Sequence, residues 1–266
     1  MSEPKETELV RERWRRSLAA EALDHADRED FMLGGLGARV QEPTVRLLML
    51  PPDPHAEIPG LFDSIWDWIG TRLTIPLGNG EVPLGDNVVP TAHAAALVRD
   101  GGEDRGWRNY AAVHRNGAVE VGLGDRGGAN RSIQNGDEAR FFWLIPVVAY
   151  TWGMVELARD LPVDASLDGP FLLAAALKDT QDALLGHRGN GWAPAHLPWN
   201  NLGRCPDKHL LWHIELDHLP KDPSASQALA FQIGDRVENA WGCRQRIYLD
   251  RQGELDGHFD VNRLRL

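Results

Sequence analysis

Apolar residues recur along this chain with two periods, one near 3.6 and one of 2. Between residues 6 and 27, Leu9, Val10, Trp14, Leu18, Ala22 and Leu23 fall mostly on one side of a helical projection, which predicts an amphipathic helix. Residues 61–73 place Leu61, Ile65, Trp68 and Ile69 at helical spacing and predict a second. The most apolar stretch, FFWLIPVVAYTWGMVELARDL at 141–161, predicts a central helix that starts around Pro146 and buries one broad face. Residues 224–241 repeat the amphipathic pattern through Ala228, Phe231, Val237 and Trp241, with a break at Gly234.

The period of 2 marks the strands. Residues 44–50 (TVRLLML) and 170–177 (PFLLAAAL) are runs of buried-strand length, although the alanines of the second fit a buried helix as well, and 183–185 reads as a return strand. The clearest local unit is WRNYAAVHRNGAVEVG at 107–122, two alternating runs around Asn116-Gly117, the dipeptide preferred by a type I′ hairpin turn. On its first strand Trp107, Asn109, Ala111, Val113 and Arg115 share one face, and Arg108, Tyr110, Ala112 and His114 share the other. His114 reads as an exposed strand residue. Residues 243–250 (CRQRIYLD) predict a late strand. Residues 74–105 are broken so often by Gly, Pro, Asn and Asp that they read as a long connection with short extended pieces. Residues 187–206 read as a loop with anchoring tryptophans. The glycine-rich 122–136 reads as a surface loop, since it carries neither Walker nor GxGxxG spacing.

Polar residues add candidate chemistry in three places. In HLLWHIELDH, a strand puts Leu210, Trp212, Ile214 and Leu216 on one side. His209, His213, Glu215 and Asp217 then line the other, a row of imidazoles and carboxylates suited to zinc, manganese or iron, with His218 or His114 to complete the sphere. Such a site would serve a metal-dependent hydrolase. A water-facing side of an antiparallel sheet has the same pattern. Arg236, Arg244, Arg246 and Arg251 make the C-terminal segment arginine-rich, a candidate anion or nucleic-acid patch. Arg11, Trp14 and Arg15 on the N-terminal helix are a candidate partner-binding stripe, so residues 1–30 are expected to be a docking element.

Composition narrows the classes. A chain of 266 residues can bury a core without staples, and neither a repeat nor a linker divides it, so 1–266 is expected to be a single domain. The formal net charge of -11 argues against a broad surface for nucleic acid. Cys205 and Cys243 cannot build a disulfide framework, and the charged N-terminus lacks the apolar run of a signal peptide; a cytoplasmic protein that contacts no membrane is expected. Nothing in the sequence calls for a cofactor, and no stretch carries a catalytic signature.

The order WRNYAAVHRNGAVEVG, FFWLIPVVAYTWGMVELARDL, GPFLLAAALKDTQDALLG and AFQIGDRVENAWGCRQRIYLDRQGELDGHFD, over about residues 107–260, resembles the region that follows the Schlafen-like, AlbA-type DNA-binding domain in some bacterial proteins. The first hundred residues show no copy of that domain, so its DNA-binding or nuclease role has no residues here to carry it. The resemblance implies an accessory, sensing or partner-binding module of bacterial regulation or defence. The expected fold is α+β: antiparallel hairpins and sheet packed on the central amphipathic helix, with an N-terminal helix. The expected function is non-enzymatic and exercised through another chain, the alternatives being nucleic-acid contact through the C-terminal arginines and metal-dependent hydrolysis.

Overall fold

Short apolar runs separated by polar turns can bury themselves only by pairing, and in this protein nearly all of them pair antiparallel. The structure is a computed structural model that describes residues 45–53, 56–77, 80–100, 107–124, 129–134, 137–162, 169–186 and 203–242, together with 9 and 12. All but Leu9 and Glu12 of the expected helix at 6–27, most of the loop at 187–206 and the strand at 243–250 lie outside the described residues.

In chain order the elements begin with β1 (Val45–Leu50), α1 (Leu61–Gly70), β2 (Thr74–Leu77), β3 (Gly80–Pro83), β4 (Asn87–Pro90) and β5 (Ala94–Asp100). The hairpin β6 (Trp107–His114) and β7 (Val119–Leu123) follows, then β8 (Ala129–Gln134), β9 (Asp137–Trp143) and α2 (Leu144–Arg159). Last come β10 (Phe171–Lys178), β11 (Leu184–Gly186), β12 (His209–Leu216) and α3 (Pro223–Ala240). Seven strands form one sheet in the order β12-β10-β1-β7-β6-β5-β4, antiparallel at every junction. A three-stranded sheet, β11-β9-β8, and the ribbon β2-β3 complete the α+β architecture.

One face of the large sheet carries the main core. Leu47, Met49, Leu97, Ala111, Val113, Val119 and Val121 meet Leu61, Ile65 and Ile69 of α1 and the residues of α2. The central helix is buried on all sides from Leu144 to Ala158, not along one stripe, because α3 packs on it as well as the sheet. Its polar groups are answered locally: the Thr151 hydroxyl donates to the Val147 carbonyl at 2.7 Å, and Glu156 pairs with Arg159 at 2.6 Å. Pro146 sits in its first turn, where an N–H has no helical partner. α3 opens on a conventional cap, with the Asp222 carboxylate accepting from the Ala225 N–H at 2.9 Å. No helix among the described residues is long and apolar enough to cross a membrane.

Several expectations change in the fold. Phe141, Phe142 and Trp143 end β9 and the helix begins only at Leu144. Residues 74–105, expected to be a connection with short extended pieces, hold four strands, and β5 is the penultimate strand of the large sheet, between β6 and β4. Its sequence AAALVRD escaped notice because alanine gives little hydrophobic contrast. The glycine-rich 122–136 contains β8 and not loop alone. The β6–β7 turn is not type I′. His114 donates its N–H to the Ala118 carbonyl, so three residues close the loop; Gly117 has φ 80, while Asn116 accepts from the Ala118 N–H through Oδ1.

Phe142 packs against Trp241, just past α3, with ring centroids 5.7 Å apart, and thereby ties the small sheet to the helix layer. Phe142→Ala is expected to cost about 3–5 kcal/mol in chemical denaturation, as for other buried aromatic truncations.

Candidate functional site

The second face of the large sheet is lined by small residues, and a charge lies at its centre. Ala94, Ala96, Ala112, Ala118 and Ala174 are all buried there. Glu120, on β7 between Val119 and Val121, is fully buried on this face. Its cross-strand neighbours are Ala112 on β6 and Leu48 on β1, neither of which can pair with a carboxylate. The partners come from the diagonals, two residues along each neighbouring strand, a distance that long and aromatic side chains span. Tyr110 and His114 reach in from either side of Ala112, and Arg46 reaches in from β1.

The contacts are specific. Arg46 donates Nε–H to Glu120 Oε1 at 2.9 Å, and the Tyr110 hydroxyl donates to the same oxygen. His114 Nε2 lies 3.2 Å from Oε2. Since an ionised carboxylate only accepts, that nitrogen must carry the proton. The other ring nitrogen, Nδ1, is buried and makes no hydrogen bond. Gly122, directly opposite Tyr110, leaves room for the phenol: a Cβ there would collide with the ring.

Burial by itself would push the Glu120 carboxyl up, but the His114 hydrogen bond, the Arg46 charge and the Tyr110 hydroxyl outweigh it and hold the group below its ordinary value. Burial, then the neighbouring Glu120 charge, push the Tyr110 phenol well above its ordinary range. The result near neutral pH is an anion beside a protonated phenol, with both carboxylate oxygens engaged and all but the arginine closed to water. A general base needs access to substrate, and the fully buried Glu120 carboxylate has none.

The residues singled out in the sequence are distributed differently. His209, His213, Glu215 and Asp217 are all exposed, the first three on one side of β12 as its alternation predicts and Asp217 in the turn beyond. Strand rise separates His209 from His213 by about 13 Å, too far to share an ion. Among the described residues no three His, Cys, Asp or Glu side chains are grouped as a metal site requires. His209 Nδ1 instead accepts from the Asp179 N–H at 3.4 Å. His114 belongs to the Glu120 network, and His218 is exposed past the strand end. Arg236 donates from Nη1 to the His213 carbonyl at 3.0 Å. Arg11, Trp14, Arg15, Arg244, Arg246 and Arg251 lie outside the described residues.

The Glu120 network went unrecognised in the sequence, where His114 was expected to be exposed. The available signal was one charge in each of two apolar runs, Arg46 in VRLLML and Glu120 in VEVGL. Opposite charges on two buried strands have to meet or be neutralised.

The network sets a pH dependence. Because the folded value of Glu120 lies below its ordinary 4.5, its stabilisation is fully present above that value and disappears as pH falls through the folded one. Glu120→Gln is therefore expected to lower stability at pH 7 by roughly 3–5 kcal/mol, leaving the part-buried Arg46 without its counter-ion. Denaturant titrations at pH 7 and pH 3 check this: the gap from wild type should narrow in acid, and a constant gap would show that the ionised carboxylate is not the stabilising species.

No family model matches this chain, and no curated protein or solved structure does so either.

Proposed function

We propose that this protein is a non-enzymatic interaction or sensor module of a bacterial regulatory or defence system, acting in the cytoplasm through a partner chain that docks along the outer edge of β12. The observation that carries this reading is the direction of the β12 backbone. In an antiparallel sheet each residue bonds to the strand on one side only, and the side alternates. The His114 N–H to Ala118 carbonyl bond at 2.9 Å and the Gly124 N–H to Arg108 carbonyl bond at 2.8 Å fix that alternation in the β6–β7 pair. Carried through Ala112↔Glu120, Glu120↔Leu48, Leu48↔Ala174 and Ala174↔His213, it turns the N–H and C=O of His213, and of Leu211 two residues before, away from β10. The Arg236 contact to the His213 carbonyl agrees.

Among the described residues no strand lies beyond β12. A long strand edge of this kind is a template for another chain. The Glu120 network supports the non-enzymatic half of the reading, since its carboxylate is fully buried. The resemblance of residues 107–260 to the region after the AlbA-type domain points the same way, toward a module defined by what it touches.

The test is reciprocal co-purification from the cells in which the chain is native, followed by the same experiment with His213→Pro. Proline is tolerated on an edge strand where its missing N–H faces outward, so the ladder to β10 survives. Wild type should bring down a stoichiometric partner and the variant should not, with unchanged thermal unfolding. Retention of the partner by His213→Pro would move the docking surface elsewhere, and turnover of any substrate by the isolated chain would overturn the non-enzymatic reading.

A further inference from the structure

The two borders of the large sheet are built differently. β4 has four residues and ends on Pro90, a short, proline-blunted edge. β12 has eight, in unbroken register with β10 from His209 to Leu216. On its core side Trp212, Ile214 and Leu216 are only half buried: they pack on the main core from within the sheet, and among the described residues no strand covers their outer flanks. A regular edge with uncovered apolar side chains invites a second strand of matching chemistry.

We infer that the occupant of this edge is β12 of a second copy of the chain, paired antiparallel about a two-fold axis at Trp212. The inference rests on β12 being the docking edge, as proposed above, and names what docks there. An isologous contact requires a self-complementary strand, and this one qualifies. With the axis at Trp212, Leu211 of each copy faces His213 of the other, and these are the residues whose N–H and C=O point outward, so four main-chain hydrogen bonds close the pair. Trp212 faces Trp212 at a non-hydrogen-bonded position, where side chains lie closest, and Leu210 faces Ile214. Moving the axis to His213 would set imidazole against imidazole, and moving it to Ile214 would set Leu211 against Asp217.

Arg236 governs access. Its Nη1 donates to the His213 carbonyl at 3.0 Å, the same acceptor that the Leu211 N–H of the second copy needs. The guanidinium therefore caps the edge in the single chain and withdraws on pairing.

Sedimentation equilibrium of the full chain over a wide concentration range is the primary test, with a reversible dimer expected. Arg236→Ala should tighten it about tenfold, the worth of removing one competing hydrogen bond per protomer. His213→Pro should leave a folded monomer. Under mild oxidation Trp212→Cys should cross-link to itself, and Ile214→Cys, which faces Leu210, should not; wild type, with Cys205 and Cys243, is the control. A chain monomeric at every concentration overturns the inference. If that monomer still captures a different protein and loses it with His213→Pro, the docking edge stands and self-pairing falls; if it captures nothing, both fall. A dimer that survives His213→Pro and is not cross-linked by Trp212→Cys is built on another surface and also overturns the inference.

Discussion

A carboxylate in the dry interior of a sheet must be matched by charge and hydrogen bonds, and this requirement on Glu120 constrains the rest of the large sheet. Its three partners come from β1 and β6, the strands on either side of β7, and each arrives diagonally. A one-residue slip of either strand would carry Arg46, or Tyr110 and His114, to the opposite face and leave the anion unpaired. The apolar residues of β1 and β7 would tolerate many registers; the charge does not. The network therefore acts as a register lock for the three central strands, and the alternation of hydrogen bonds that it fixes propagates outward to both borders.

The two faces of that sheet are stabilised by different physics. The face toward α1 and α2 is held by apolar burial, with a helix surrounded on every side and its few polar atoms satisfied within a turn. The opposite face has small side chains around a polar cluster: alanines and Gly122 give Tyr110, His114 and Arg46 the room to converge. Large side chains at Ala112 or Gly122 would fill the space through which the diagonals reach. The alanines are thus part of the charge-matching device.

The sheet is locked at its centre and finished unevenly at its two borders. β4 is short and blunted by proline, whereas β12 presents a regular backbone edge, half-buried apolar side chains and a mixed-charge row of His209, His213 and Glu215. Arg236 at the His213 carbonyl is the kind of guard that restrains an open edge without abolishing it.

Patterning along the chain was enough to locate β1, β6, β7, β12 and the three described helices, because those patterns are set by local geometry: two residues per strand repeat, 3.6 per helical turn; the alanine-rich run of β10 stayed open between strand and buried helix. Patterning also placed Tyr110, Ala112 and His114 correctly on one face, and His209, His213 and Glu215 on one side of β12. β5 was invisible, since AAALVRD has too little contrast to show a period. The turn at Arg115, Asn116 and Gly117 closed with three residues where Asn-Gly suggested two, and that single residue decides which side chain of β6 stands opposite Glu120. Whether His114 met water or a carboxylate, and whether α2 had one covered face or all of them, depended on strands and helices far away in sequence. Those outcomes belong to the tertiary structure, because pairing partners and the layers that cover them are non-local, whereas the propensity to be a strand or a helix is not.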